Sequence, residues 1–173
     1  MDFTLTVQQQ KIQQQVRSFA RERVAPFSRE MDERGSMPMS LIKDLASIGF
    51  LGGPLPIAFG GSAWDSISLA LCYEELGRVD SSVRGLMTVH TSLVSQCIVQ
   101  WGNDLQKQNY LPKLARGELI GCYCLTEPNA GCIRSSIRQR SMAMRTSSTA
   151  KKFGSRMAAL PTWQLCLRMP SLP

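Results

Sequence analysis

The chain has 173 residues, 43% of them hydrophobic, and a formal net charge of +7. This length allows one domain with a hydrophobic core, and no apolar run reaches the ~18–20 residues that a membrane-spanning helix needs. The charge is uneven, because residues 1–131 hold 12 basic and 13 acidic side chains, whereas residues 132–173 hold 8 basic and no acidic ones. A basic face for nucleic acid is therefore not expected on the folded part.

The N-terminus and the cysteines favour a cytoplasmic protein. Residues 1–6 lack the basic and apolar regions of a signal peptide. The six cysteines form no CxxC pair and have no ligand-like spacing with the only histidine. We therefore expect small buried thiols rather than a metal site.

Helical signals begin at the start of the chain. Thr6 and Gln9 have the spacing of a capping box, and the helix that follows them is expected to stop before Pro26. A second helix is expected to direct Ile48 inward and to end at Gly49. The connection after it is rich in glycine and proline, which indicates a loop.

Three more helices are predicted after that loop. The first spans about Trp64 to Arg78, and its paired acids Glu74 and Glu75 are expected on a solvated face. Asp80 is placed to cap a long apolar helix, and Asn103 to cap a shorter amphipathic one.

The periodicity changes at Leu119 to that of a strand, which ends in a small glycine-containing loop. We therefore predict a mainly α fold. A helical domain occupies residues 1–118, the first strand and loop of a β-domain occupy 119–131, and an irregular basic tail, predicted to be disordered, occupies 132–173.

Few side chains in this pattern are suited to chemistry. The Thr126 hydroxyl, with backbone amides near Leu125 and Gly131, can hold the polar edge of a flat heterocyclic cofactor. Glu127 is the acid beside this loop, and a local turn contact is favoured over catalysis. His90 lies within an apolar helix, where a core or pocket-wall histidine is favoured over a catalyst.

Six segments carry a family resemblance, and they occur in order along the chain. Their positions are 21–26, 45–52, 59–61, 73–78, 110–118 and 124–131. The last of them has the letters Cys-Leu-Thr-Glu-Pro-Asn-Ala-Gly. On these residues the chain resembles the acyl-CoA dehydrogenase family, over its N-terminal helical domain and the first strand of its middle β-domain.

The resemblance implies a reaction and a cofactor. The family oxidises acyl thioesters to trans-2-enoyl products: a carboxylate removes the α-proton, and FAD accepts the β-hydride. The thioester is acyl-CoA or an acyl group on a carrier protein. The resemblance implies that Tyr123, Leu125 through its backbone, Thr126 and Gly131 line the flavin.

The resemblance also assigns the substrate side. The helix that bears His90 is implied to line the acyl pocket. Cys132 stands where the family has a serine that touches both the flavin phosphate and the substrate. Because a thiol is a weaker hydrogen-bonding group than a hydroxyl, that contact is expected to be impaired.

The tail departs from the family, which continues with a Tyr-Val-Ile-Asn-Gly-Lys-Lys strand and a Trp-Ile-Ser/Thr-Asn-Gly segment. Residues 146–157 can be encoded by codons that, shifted by one base, give Tyr-Val-Ile-Asn-Gly-Lys-Lys-Val-Trp-Ile-Ser-Asn. The hypothesis is that the sequence from about Cys132 is a frameshifted translation. A basic disordered tail is the alternative, and the nucleotide sequence of the gene distinguishes them.

The resemblance places the catalytic carboxylate and the homotetramer interface in a C-terminal helical bundle, so no residue is assigned as the base. The expectation is a truncated, inactive fragment. A non-catalytic helical module that pairs with a full-length relative is the alternative, and co-purification tests it. Nucleic-acid binding by residues 132–173 is a third hypothesis, which a steep salt dependence tests.

Overall fold

The computed structural model describes residues 4–123, 145–146 and 164–167. In this part of the chain α-helices dominate, and two π-helical segments and a 3₁₀ turn join some of them. The α-helices are α1 (Val7–Phe19), α2 (Ala25–Arg34), α3 (Met39–Ser47), α4 (Ser66–Gly77), α5 (Ser81–Thr88), α6 (Gln96–Trp101) and α7 (Asp104–Ala115). The π-helical segments are Ala20–Val24 and Val89–Ser95, and the 3₁₀ turn is Ile57–Phe59.

The first helix begins as predicted but does not stop where expected. The Gln9 N–H donates to Thr6 Oγ1 over 3.2 Å, and the Thr6 N–H donates to Gln9 Oε1 over 3.0 Å, which confirms the capping box. The expected stop before Pro26 is wrong, because the π-helical segment follows α1 directly and leads into α2, so the helical backbone continues through Pro26 to Arg34. Proline lacks an N–H, but it lies in the first turn of α2, directly after the π-helical segment, where the loss is tolerated.

The caps predicted for the later helices are present. Asp80 accepts hydrogen bonds from two backbone N–H groups at the start of α5, and Asn103 caps α7. Gly49 lies just after α3 with a φ of 78°, which glycine adopts without strain. Ile48 is 45% exposed, so the expectation that it points inward is wrong. It occupies the C-cap position beyond the last turn of α3, where the helical periodicity no longer applies.

The buried apolar side chains form two clusters. The larger cluster is formed by side chains from each of the helices α1 through α5, and it includes Ile120 at the start of the first strand. The smaller lies between α6 and α7 and extends to the Val89–Ser95 segment through Val94. The first strand therefore packs where the two clusters meet.

That strand is β1 (Ile120–Tyr123), which starts one residue after the predicted change of period. It pairs in parallel with β3 (Gln164–Leu167), and β3 pairs antiparallel with β2 (Arg145–Thr146). The prediction of a mainly α fold that continues into β-structure is confirmed. The predicted disorder over 132–173 stays a prediction.

Glu75 differs most from its sequence-based expectation. Its neighbour Glu74 is exposed as predicted, but the Glu75 side chain is only 3% exposed. Arg17 of α1 holds it with two hydrogen bonds, from Nε to Oε2 over 3.0 Å and from Nη2 to Oε1 over 2.7 Å. Gln13 adds a third bond at 3.2 Å. The Arg17 hydrogen bonds hold the pKa of Glu75 below its usual range, so the carboxylate ties α4 to α1.

We expect Glu75→Gln to lower the free energy of unfolding by about 1–1.5 kcal/mol, because it removes charge-assisted bonds in a buried position. The figure is moderate because Arg17 is 42% exposed and can be rehydrated. The matched control is Glu74→Gln, which should change stability by less than about 0.5 kcal/mol. Urea unfolding measures both, and equal losses would contradict the assigned role of Glu75.

Within the ranges described above, no helix is both long and apolar enough to cross a membrane.

Candidate functional site

The candidate site is the junction between β1 and the π-helical segment Val89–Ser95. These two elements pack directly on each other. Tyr123 is the last residue of β1 and is half-buried. The loop predicted to bind a cofactor would begin directly after it. Of the predicted cofactor residues, Leu125, Thr126, Gly131 and Cys132 lie outside the described residues, so their roles stay predictions.

His90 lies at the centre of this junction and is fully buried. Its Nδ1 accepts a hydrogen bond from the Gly121 N–H over 3.1 Å. Its Nε2 lies 3.1 Å from the carbonyl oxygen of Leu114 in α7. Because Nδ1 is an acceptor, the ring proton resides on Nε2, which donates to that carbonyl. One imidazole therefore connects the π-helical segment, α7 and β1.

This environment keeps the ring uncharged. Burial lowers the pKa of His90 to about 4, although the Leu114 carbonyl partly opposes the shift by favouring the protonated form. At neutral pH both ring nitrogens are occupied by the backbone, so neither is available to a substrate as His90 stands. These contacts fit the core or pocket-wall role favoured for this histidine over a catalytic one. That its helix lines an acyl pocket stays a prediction.

Gly121 allows β1 to approach the π-helical segment closely. A Cβ added at Gly121 would lie 2.5 Å from Cγ1 and 2.7 Å from Cβ of Val94. Those separations are too short for any real side chain, and the Val94 side chain has little freedom to move. The absence of a side chain at Gly121 is therefore part of the site.

We expect Gly121→Ala to lower the free energy of unfolding by about 1–2 kcal/mol, because the added methyl group overpacks this contact. The double variant Gly121→Ala/Val94→Ala should lose less stability than the sum of the losses in the two single variants, because the smaller side chain at position 94 relieves the clash. Thermal unfolding of the four chains gives the coupling energy. Additive losses would show that the clash is not with Val94.

A chain of hydroxyl groups beside the junction was not anticipated from the sequence. Thr91 Oγ1 donates to the Met87 carbonyl over 2.7 Å, so it accepts from Tyr73, whose oxygen lies within 2.7 Å of Ser92 Oγ. The direction of donation then runs from Ser92 to Tyr73 to Thr91. Burial raises the pKa of Tyr73, so its hydroxyl keeps its proton at neutral pH. The partners lie 18 and 19 residues apart, and local sequence spacing gives no signal for such a contact.

Among the residues described, no group of three His, Cys, Asp or Glu side chains could hold a metal. Tyr123, half-buried at the end of β1, is the only predicted flavin residue within the described ranges, and its role toward the cofactor stays a prediction.

Comparison with known proteins identifies the fold. Residues 6–118 match the family described as "Acyl-CoA dehydrogenase, N-terminal domain". A short-chain specific acyl-CoA dehydrogenase of Clostridium acetobutylicum is 42% identical over 131 residues, which is 76% of this chain and 35% of that protein. The chain thus spans about a third of the length of the curated relatives it matches.

Solved structures agree. Butyryl-CoA dehydrogenase from Megasphaera elsdenii has a TM-score of 0.70 and 36% identity over 76% of this chain and 35% of its own. A glutaryl-CoA dehydrogenase from Mycobacterium smegmatis, solved in complex with FADH2, has a TM-score of 0.69 and 34% identity over 73% of this chain and 33% of its own. Because the family match covers residues 6–118, which is more than half of the chain, this chain belongs to the acyl-CoA dehydrogenase family.

Proposed function

We propose that this chain supplies the N-terminal wall of a flavin-dependent acyl-thioester dehydrogenase. The observation that carries the proposal is the continuity of the match over 6–118 with β1, the strand that leads to the predicted flavin loop. The reaction would be the α,β-dehydrogenation of an acyl-CoA or acyl-carrier thioester. FAD, when bound, would supply the acceptor for the hydride.

On this proposal, residues of this chain bind the flavin and orient it toward the substrate. Tyr123 would present its ring at the end of β1, and the Leu125 backbone and the Thr126 hydroxyl would bond the polar edge of the flavin. Gly131 would allow close approach of the backbone, and Cys132 would lie next to the substrate. The helical domain beneath them would hold β1 in place and exclude water from one side.

Residues 6–118 are not proposed to supply the base that removes the substrate proton. Buried Glu75 is bonded to Arg17 and Gln13 on the side of α4 that faces α1. His90 has both nitrogens committed to the backbone. The family places its catalytic carboxylate in the C-terminal bundle, beyond the matched residues. We therefore propose that the base comes from outside residues 6–118.

A chimera tests the proposed function. Residues 6–123 would replace the matching segment of the Clostridium acetobutylicum relative, and the unmodified relative is the reference. We expect the purified chimera to retain flavin and to lose its flavin absorbance when a short-chain acyl-CoA is added without oxygen. The unaltered 173-residue chain, titrated with FAD in parallel, should bind it more weakly than the chimera does.

Two outcomes would overturn the proposal. The first is a chimera with a native helical spectrum that does not retain flavin. The second is a chimera that retains flavin but leaves it oxidised with acyl-CoA thioesters of several chain lengths. Omitting the substrate and adding free CoA in its place control for reduction by other routes.

A further inference from the structure

We propose that His90 is a positioning residue that fixes β1 against the helical domain, and that it thereby sets where Tyr123 stands at the cofactor site. The role of Tyr123 toward a flavin rests on the proposed function. The control of β1 by His90 rests on contacts within this chain alone.

The direction of the Gly121 N–H shows where His90 lies relative to β1. This group donates to His90 Nδ1 over 3.1 Å, so it is turned toward the helices and away from β3. In a strand, neighbouring peptide groups point to opposite edges. His90 therefore occupies the edge of β1 opposite its partner strand. A buried N–H without a partner is costly, which makes this contact decisive for the position of the strand.

A histidine suits this position because its ring can bond two backbone groups at once. The rigid ring bonds the Leu114 carbonyl through one nitrogen and the Gly121 N–H through the other, each over 3.1 Å. The Leu114 bond fixes both the tautomer and the ring orientation, and so aims Nδ1 at the strand. An asparagine can reproduce the Nδ1 contact alone, and a glutamine the Nε2 contact alone.

The position of Tyr123 depends on that of Gly121. These residues are two apart in β1, so their side-chain positions lie on the same face of the strand. Gly121 lies against Val94 with no room for even a methyl group. Only one residue of the strand separates Gly121 from Tyr123, so a shift of β1 at Gly121 also moves Tyr123.

The experiment uses the full 173-residue chain labelled with ¹⁵N and compares His90→Asn with His90→Gln. Each variant loses one of the two ring contacts, so a merely structural role predicts similar changes in both. We expect the Gly121 amide to exchange about tenfold faster in the glutamine variant than in the asparagine variant. The Tyr123 ring resonances should move in the glutamine variant and stay near wild type in the asparagine variant.

The wild-type chain provides a second measurement, in case a variant does not fold. Because the chain contains one histidine, its ring nitrogens are assigned without ambiguity. We expect a neutral ring with its proton on Nε2 and a scalar coupling from the Gly121 N–H to Nδ1. A proton on Nδ1 at neutral pH would overturn the proposal, as would equal Gly121 exchange or equal Tyr123 shifts in the two variants.

Flavin titration separates this proposal from the proposed function. If the wild-type chain binds FAD, the affinity should fall in His90→Gln and be largely kept in His90→Asn; equal losses would overturn the positioning role. If the wild-type chain binds none, the Gly121 and Tyr123 signals still decide the positioning role. The chimera described above then decides the proposed function.

Discussion

Lowering the pH from 7 to 5 is expected to remove about 2 kcal/mol from the free energy of unfolding, and His90 is the cause. Burial lowers the pKa of the folded chain's His90 to about 4, whereas an exposed histidine titrates near 6.5. The unfolded chain therefore takes up a proton in this range and the folded chain does not. The contribution is fully present above pH 6.5 and is lost as the pH falls toward 4.

Between pH 7 and 5, the other groups with shifted pKa values contribute little to the change in the free energy of unfolding. Hydrogen bonds hold the pKa of Asp65 and Glu75 below their usual ranges, so these carboxylates lose their stabilising effect only at lower pH. Urea unfolding at half-unit pH steps gives the slope. His90→Asn should be less stable at pH 7 but nearly independent of pH between 7 and 5. An equally steep slope in that variant would contradict the assignment to His90.

Gly61→Ala is expected to cost on the order of 3 kcal/mol of stability, the largest single-methyl effect we predict for this chain. A Cβ at this position would lie 2.0 Å from the carbonyl oxygen and 2.4 Å from the carbonyl carbon of Leu55. These are backbone atoms, so rotating a side chain cannot relieve the clash. The loop would have to open, although the Ala63 N–H also donates to the Leu55 carbonyl over 2.9 Å.

Gly85→Ala is the matched control for this substitution. Gly85 lies inside α5 and has open space where its Cβ would stand. Alanine has the higher helix propensity, so this change should stabilise the chain by about 0.5–1 kcal/mol. Thermal unfolding compares the two variants with wild type. A neutral Gly61→Ala would show that the loop does not hold the close contact with Leu55.

The sequence predicts best where an interaction is local. The capping box of Thr6 and Gln9 spans three residues, and both of its bonds are present. The Asp80 cap is equally local. In each case a short side chain meets backbone N–H groups that any helix start leaves free, so the chemistry follows from spacing alone.

Prediction fails where the partner is distant along the chain. A solvated face is the sequence-based expectation for Glu75, because nothing near it indicates that Arg17, 58 residues earlier, bonds to it. The contacts of His90 fit the expectation of a core or pocket-wall histidine, but its bonds to Leu114 and Gly121 span 24 and 31 residues. Packing of α7 and β1 brings those backbone groups together, and no local pattern encodes that packing.

The ion pair between α1 and α4 has a consequence for any shorter product of this chain. Initiation at Met31 or Met37 would yield a polypeptide without Arg17 or Gln13. The face of α4 that packs on α1 would then be open to solvent, and the larger apolar cluster would lose Ile12, Val16 and Phe19. Such a product should be degraded rapidly in cells, because it exposes apolar surface that α1 covers in the full chain.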